Sequence, residues 1–205
     1  MGVYAEHVLP WLVHAACSSR PATGQRRKLL PSARGTVLEV GIGSGLNLPH
    51  YDPKRVVAVV GLDPSRRLLT MAAPRLAASP FGGGLVRAEA EAIPLARRSV
   101  DTVVSTFTLC TIPDVQAALR EMGRVLRPGG RLLFCEHGRA PEEEVRRWQD
   151  RLDGIWGRVA GGCHLNRDIP ELLRRGGFEI ESMETAYFAG WRPAGFGYRG
   201  AARLG

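Results

Sequence analysis

Three glycines at alternate positions occur in the segment EVGIGSGLN, residues 39–47, which directly follows an apolar run. Glycine adopts positive φ readily and leaves room for a ligand against the main chain, so this segment is typical of a ligand-binding turn after a first strand. Nicotinamide dinucleotides, nucleotide phosphates and S-adenosylmethionine are all candidates for such a turn. The surrounding residues must distinguish between them.

The spacing of the glycines disfavours two of these ligands. A dinucleotide-binding turn has the pattern GxGxxG, and here Leu46 occupies the position of the third glycine. No Gly-Lys-Ser/Thr sequence follows, so the turn is not a P-loop. Glu39, at the end of the preceding apolar run, would repel a pyrophosphate but suits the ammonium group of a methionine moiety. NAD-dependent oxidoreduction is therefore disfavoured.

Acidic residues follow the next two apolar runs. Asp63 in GLDPS can accept hydrogen bonds from both hydroxyls of a ribose, whether that ribose belongs to NAD or to S-adenosylmethionine. In RAEAEAIPL, Glu89 offers an acceptor for an adenine amino group, and the Ala90 amide offers a donor to a ring nitrogen. These positions indicate an adenosine-containing ligand.

Short apolar runs alternate with helical patterns after residue 35, as in a doubly wound α/β fold. The expected buried strands are residues 36–40, 56–62, 84–88, 101–107 and 131–136. Helices are expected at about 65–78 and 114–126. Pro74 should kink or break the first helix, and the RPGG segment, residues 127–130, should form a turn after the second, with positive φ at both glycines.

The last third of the chain has a different pattern. Residues 141–161 form an amphipathic helix with acidic residues in its first turn, and a shorter helix begins at Asp168 as its N-cap. Two closing strands without a long helix between them predict a hairpin at one edge of the sheet. The expected fold is a mostly parallel, seven-stranded, doubly wound sheet in a single domain. Within it, residues 1–31 form an N-terminal lid, residues 32–137 the cofactor-binding core, and residues 138–205 the acceptor side.

Composition limits the remaining function classes. The chain of 205 residues has a formal net charge of +8, but its arginines are spread along the chain, which argues against a nucleic-acid partner. The densest basic cluster, residues 24–34, is compatible with weak peripheral contact with an acidic membrane. Four cysteines without a CxxC pair predict neither disulfides nor a metal site, and they favour a cytoplasmic location. Oligomeric state cannot be predicted.

Five segments in register resemble the class I S-adenosylmethionine-dependent methyltransferases. They are VLEVGIGSG, GLDPS, AEAEAIPL, SVDTVVSTFTLC and VLRPGGRLLFCEH, and they span about residues 36–137. The tail, from WQDRLDGIWGRVAGGCHLNRDIPELL to FGYRG, further resembles thiol methyltransferase-like proteins. More loosely, the chain is similar to phospholipid and quinone methyltransferases.

The resemblance implies a cofactor, S-adenosylmethionine, with S-adenosylhomocysteine as the product. Its binding residues would be Glu39, Gly41, Ile42, Gly43, Gly45, Asn47, Asp63, Pro64, Glu89, Ala90, Thr106 and Phe107. The expected acceptor is small and lipophilic, with sulfur favoured over an amine, a phospholipid headgroup or a quinone-like ring.

Positions at the carboxyl ends of the strands suggest the acceptor-side residues. His137 and Glu136 end the fifth strand and are candidates for a base or an acceptor-orienting group. Cys110 follows the fourth strand, and His164 lies in a loop, GGCHLNRD, that could fold over the same site. At helical spacing, Tyr4, His7, Trp11 and His14 share one face of the N-terminal helix, and the first three offer apolar walls with polar tips.

Two other functions are compatible with these residues. If Cys110, Cys135 and Cys163 converged, three thiolates would suit arsenite or another thiophilic metalloid as the methyl acceptor. Alternatively, the chain could be a non-catalytic partner subunit that binds the cofactor without turnover.

Overall fold

The computed structural model describes residues 4–188 and 191–205. The chain begins with a π-helical turn, Tyr4–Val8, followed by α1, Leu9–Cys17, and α2, Arg20–Leu29. The later helices are α3, Arg66–Ala77; α4, Val115–Val125; α5, Glu143–Val159; α6, Ile169–Arg175; and α7, Arg192–Gly195. The strands are β1, Gly35–Val40; β2, Val56–Leu62; β3, Gly82–Val86; β4, Val100–Thr106; β5, Leu126–His137; β6, Phe178–Tyr187; and β7, Phe196–Leu204. Short 3-10 turns cover Leu30–Ser32 and Leu48–His50.

One seven-stranded sheet has the order β3-β2-β1-β4-β5-β7-β6. The first five strands pair in parallel, and β7 is antiparallel to both β5 and β6. This confirms the predicted mostly parallel sheet with a closing hairpin. Within the hairpin, β7 lies between β5 and β6, so β6 is the edge strand. The strand order reverses between β1 and β4, so the carboxyl ends of these two strands flank the topological switch point.

Both faces of the sheet are buried along its inner strands, such as β1 and β4, because helices cover each face. Along β4, Val103 belongs to one hydrophobic cluster and Val104 to the other, as the period of two in a strand requires. Leu119 and Met122 of α4 pack into the first cluster, whereas Leu29 at the end of α2 packs into the second. This two-sided burial explains why the strands read as continuous apolar runs.

Helix α3, Arg66–Ala77, agrees with the predicted bounds, and it continues through Pro74 without a break. Two other predicted boundaries were wrong. The RPGG segment is not a turn that precedes the strand but part of β5, at a register irregularity opposite β4, and of its two glycines only Gly129 has positive φ. Strand β3 ends at Val86, two residues earlier than expected. The predicted N-cap is confirmed, since the Asp168 side chain accepts from the Glu171 amide at 3.0 Å.

Within the described part of the chain, no helix combines the length and the apolar character needed to cross a membrane.

A carboxyl group is buried at the end of β1. Glu39 is 1% exposed, and its Oε2 accepts a hydrogen bond of 2.6 Å from the hydroxyl of Tyr51, which packs in the second cluster. Burial raises the pKa of Glu39 to about 8, although the Tyr51 hydroxyl and the charge of Arg26 act in the opposite direction. The folded chain therefore holds this proton more tightly than the unfolded chain does.

This burial predicts a pH dependence of stability. The pKa of Glu39 rises from 4.5 to about 8 on folding. Proton binding by Glu39 therefore stabilises the folded state at low pH, and this stabilisation is lost as the pH rises from 4.5 to about 8. The free energy of unfolding of the wild type should fall relative to that of Glu39→Gln by a few kcal/mol between these limits, since a tenfold change in proton affinity corresponds to about 1.4 kcal/mol. Urea denaturation of both proteins at several pH values measures the difference, and parallel curves would contradict it.

Candidate functional site

A cavity of about 280 Å³ lies at the switch point of the sheet. Its walls come from the segments after β1, β2, β3 and β4, from helices α1 and α2, and from the end of α5. All the predicted cofactor-binding residues except Gly45 line this cavity. The structure thus brings together residues that the sequence placed in four separate motifs.

The three glycines of the loop after β1 all have positive φ, between 56° and 79°. A Cβ atom at Gly41 would lie 2.3 Å from Thr108 Oγ1, so the absence of a side chain lets the glycine loop approach the segment after β4. A Cβ atom at Gly43 would meet only the Gly41 carbonyl oxygen, at 3.9 Å, and Gly43 lines the cavity. Gly45 instead packs against Leu48 and against Ala72 of α3. Its lack of a side chain therefore lets the loop approach α3, and Gly45 does not contact the cavity.

Asp63, at the end of β2, anchors the glycine loop. Its Oδ2 accepts from the Gly43 amide at 2.9 Å and its Oδ1 from the Ser65 amide at 2.8 Å. Asp63 is 6% exposed and lines the cavity. Each carboxylate oxygen can accept a further hydrogen bond, so Asp63 retains acceptor capacity towards the cavity.

The guanidinium group of Arg26 in α2 is buried in the cavity wall, and sequence patterns did not identify it. Its Nε donates to Asn47 Oδ1 at 2.7 Å, and NH1 donates to the Cys17 carbonyl at 2.6 Å. Asn47 in turn donates to Thr106 Oγ1 at 3.0 Å. The guanidinium carbon lies 5.7 Å from the centroid of the Phe107 ring. This network joins the lid, the glycine loop and the end of β4.

The N-terminal helix does cover the cavity, but with a different face from the predicted one. From α1 the cavity is lined by Leu9, Val13, His14 and Cys17. The three predicted wall residues, Tyr4, His7 and Trp11, are exposed and lie outside the cavity lining. The Tyr4 hydroxyl donates to the Val159 carbonyl at 2.7 Å, and Trp11 lies under the guanidinium of Arg67. Only His14 of the predicted face lines the cavity.

Two contacts fix the lid over the cavity. His14 Nδ1 lies 2.7 Å from Ser44 Oγ in the glycine loop. Leu9 packs against the turn after α5, where a Cβ atom at Gly161 would lie 2.6 Å from Leu9 Cδ2. The lid therefore touches both the cofactor-binding loop and the last part of the chain.

Glu136 was expected to face the acceptor, but the structure gives it a different position. It is completely buried and lies outside the cavity lining. Its carboxylate accepts from Ser105 Oγ at 2.7 Å and from the amides of Thr108 and Leu109 at 2.8 and 3.1 Å. Glu136 therefore holds the segment after β4 in place, and its oxygens are already engaged.

His137, at the end of β5, belongs to a cluster with Cys110 and Cys163. One ligand-type atom from each of these three residues lies within 4.8 Å of the others, and His137 Nε2 is 3.1 Å from Cys163 Sγ.

The cluster corrects two predictions. Cys135 does not join Cys110 and Cys163, because it is fully buried in β5 within the second cluster, where burial raises the pKa of its thiol to about 12. His164 is half-buried and lies outside the cavity lining. Its Nδ1 pairs with Asp153 Oδ2 at 2.9 Å, and its backbone amide donates to the Cys110 carbonyl at 2.9 Å. His164 therefore joins loops rather than facing a ligand.

Comparison with known proteins places these features in a family. A model of the methyltransferase domain matches residues 38–134. Human thiol S-methyltransferase TMT1B is 30% identical over 191 residues, which cover 87% of this chain and 78% of that protein. Human thiol S-methyltransferase TMT1A is 35% identical over 150 residues, which cover 72% of this chain but only 62% of that protein. The chain thus spans less than two thirds of the length of TMT1A.

Solved structures agree on the fold. An S-adenosylmethionine-dependent methyltransferase from Mesorhizobium loti superposes with a TM-score of 0.66 at 21% sequence identity, over 91% of this chain and 99% of that one. On the combined evidence of the sheet order, the position of the cavity and these similarities, the chain belongs to the class I S-adenosylmethionine-dependent methyltransferases.

Proposed function

We propose that the protein transfers the methyl group of S-adenosylmethionine to the sulfur atom of a small, lipophilic thiol. The observation that carries this proposal is the composition of the cavity, which combines an acidic, hydrogen-bonding part with an apolar part. The similarity to thiol S-methyltransferases supports sulfur as the acceptor atom.

The acidic part of the cavity fits the cofactor. Asp63 retains acceptor capacity for the ribose hydroxyls, and Glu89 and Ala90 line the cavity beyond β3, where an adenine ring would lie. Binding of an ammonium group beside Glu39 would favour the ionised form of this carboxyl. The buried guanidinium of Arg26 supplies a positive charge for the carboxylate of the methionine moiety.

The apolar part of the cavity fits a lipophilic acceptor. Leu9 and Val13 contribute from the lid, and Ile112 and Pro113 contribute from the segment after β4. Predominantly apolar walls with a few polar groups are typical of small-molecule sites. A charged or strongly hydrated acceptor would gain no hydrogen bonds from these four side chains in return for the water that it loses.

The cofactor supplies an activated methyl group on a sulfonium, so the chain's main task is to align the acceptor and exclude water. A thiol has an ordinary pKa of about 8.5, and a nearby positive charge favours the thiolate. Strong general-base catalysis is therefore less necessary than it would be for an alcohol.

Methylation of a metalloid is not favoured by the cysteine positions. That proposal required a third thiol near Cys110 and Cys163, and within the described residues the third group of the cluster is the imidazole of His137.

The first test combines binding and turnover. Calorimetric titration should show binding of S-adenosylmethionine and S-adenosylhomocysteine but not of NAD. A methyl-transfer assay should then show turnover of alkyl thiols in preference to amines, phenols and arsenite. Preferred turnover of any acceptor other than a thiol would overturn the assignment of the acceptor, and binding without turnover of any acceptor would favour a partner-subunit role.

Replacement of Asp63 tests the ribose site. Asp63→Ala should weaken cofactor binding roughly fivefold to 150-fold, because about 1 to 3 kcal/mol of hydrogen bonding is lost. Asp52→Ala is the matched control, since Asp52 accepts from the Lys54 amide and lies outside the cavity lining. Calorimetry on both variants measures the effect, and equal affinities in the two would exclude the proposed contact.

Two leucines of α1 provide a test of the lid. Leu9 lines the cavity, whereas Leu12 on the same helix is 51% exposed and lies outside the cavity lining. Leu9→Ser should raise the KM for a lipophilic thiol about five- to thirtyfold, corresponding to about 1 to 2 kcal/mol of lost apolar contact, with little change in kcat. Leu12→Ser should leave KM unchanged. If both variants behave alike, α1 does not contact the acceptor.

A further inference from the structure

Three elements that are distant in the sequence bring two thiols and an imidazole together beside the cavity. Cys110 lies in the segment after β4, His137 ends β5, and Cys163 lies in the loop after α5. Cys110 and Cys163 are 2% and 9% exposed, respectively. Within the described chain, His137 Nδ1 is buried and has no hydrogen-bond partner. Such a concentration of polarisable ligand atoms away from solvent needs a chemical explanation.

We propose that Cys110, His137 and Cys163 form a zinc site with one open coordination position. Zinc binds thiolate sulfur at about 2.3 Å and imidazole nitrogen at about 2.0 Å, so tetrahedral coordination places two sulfurs about 3.8 Å apart. The cluster, with all three ligand atoms within 4.8 Å of one another, needs only small side-chain movements to reach this geometry. Thiolate and imidazole ligands select zinc over magnesium or calcium.

Contacts from outside the cluster hold its two cysteine loops in place. The His164 amide donates to the Cys110 carbonyl at 2.9 Å and joins the loops directly. Asp153 Oδ1 accepts from the Leu165 amide at 2.7 Å, which fixes the loop after α5. The guanidinium of Arg167 donates to the carbonyls of Leu109 and Ile112 on either side of Cys110. The ligands are thus positioned before any metal binds, as a stable site requires.

Cys110, His137 and Cys163 lie just outside the cavity lining, and their neighbours in the chain place the open position next to the cavity wall. Thr111 and Ile112, which follow Cys110, line the cavity. Ala160 and Gly161, shortly before Cys163, line it from the opposite loop. Three protein ligands with a free fourth position are typical of catalytic zinc sites, whereas structural sites use four protein ligands. We therefore assign the fourth position to a ligand that enters through the cavity.

The identity of that ligand rests on the proposed function. An acceptor thiol that binds the metal loses its proton to solvent and remains a thiolate at neutral pH. Its sulfur then forms a bond to the methyl carbon of the cofactor as the bond between that carbon and the sulfonium sulfur breaks, with the electron pair leaving on the cofactor as a neutral thioether. The methylated product is itself a neutral thioether, a weaker ligand than the thiolate, so it dissociates.

Metal analysis of the full chain provides the test. After purification under reducing conditions, loading with zinc and dialysis against metal-free buffer, the wild type should retain about one zinc per chain. Cys110→Ser and Cys163→Ser should each lose most of it, whereas Cys135→Ala, which alters a cysteine outside the cluster, should retain it. Cofactor affinity and circular dichroism identify any variant that has not folded. Absence of stoichiometric zinc in the wild type, or equal loss in Cys135→Ala, would overturn the site.

Cobalt provides a second measurement that does not depend on activity. Loading with cobalt should produce the visible bands of a tetrahedral ion and thiolate charge-transfer bands, and both should be absent in the double variant Cys110→Ser/Cys163→Ser. Addition of an alkyl thiol should shift these bands if the fourth position accepts sulfur. An unchanged spectrum would overturn the assignment of that position.

The two proposals can fail separately. Zinc binding without methylation of any thiol would leave the metal site in place and overturn the proposed function. Methylation of thiols at the same rate by metal-free protein would leave the proposed function in place and overturn the role of the metal.

Discussion

The buried guanidinium of Arg26 is the constraint on which the site depends. A charge in this position is costly unless its donors are satisfied, and Arg26 is only 4% exposed. Its described partners are the Cys17 carbonyl at the end of the lid helix and the Asn47 side chain in the glycine loop. Movement of either element would leave buried donors unsatisfied. The lid, the glycine loop and the end of β4 therefore form one polar unit, and the cavity has its shape because that unit is satisfied.

The opposite wall of the cavity is held by an acidic and a basic side chain. Glu136 accepts from the backbone amides at the start of the segment after β4, whereas Arg167 donates to carbonyls further along it. A segment without regular secondary structure must satisfy its own backbone groups, and these side chains do so from β5 and from the residues before α6. This arrangement fixes the backbone at Cys110 and Ile112.

The parts that could be predicted from the sequence are those governed by local rules. Continuous apolar runs identified the strands because both faces of the sheet are covered, and the glycine spacing identified the loop because Gly41 and Gly43 need positive φ. Asp63 and Glu89 follow strands whose carboxyl ends must meet at one edge of a parallel sheet. Each of these inferences needs only neighbouring residues and one topological rule.

The N-terminal lid was predicted, but neither the face that it turns inwards nor the cysteine cluster could be, because pairwise contacts between distant segments decide them. The helical period of α1 is compatible with either face turned inwards, and the choice is made by Leu9 against Gly161 and His14 against Ser44. Likewise, Cys110 and Cys163 have no characteristic spacing, and they meet only because β4, β5 and α5 end on the same side of the sheet. In this fold the donor site follows strand ends and is visible in the sequence, whereas the acceptor site is assembled from loops and becomes visible only in the structure.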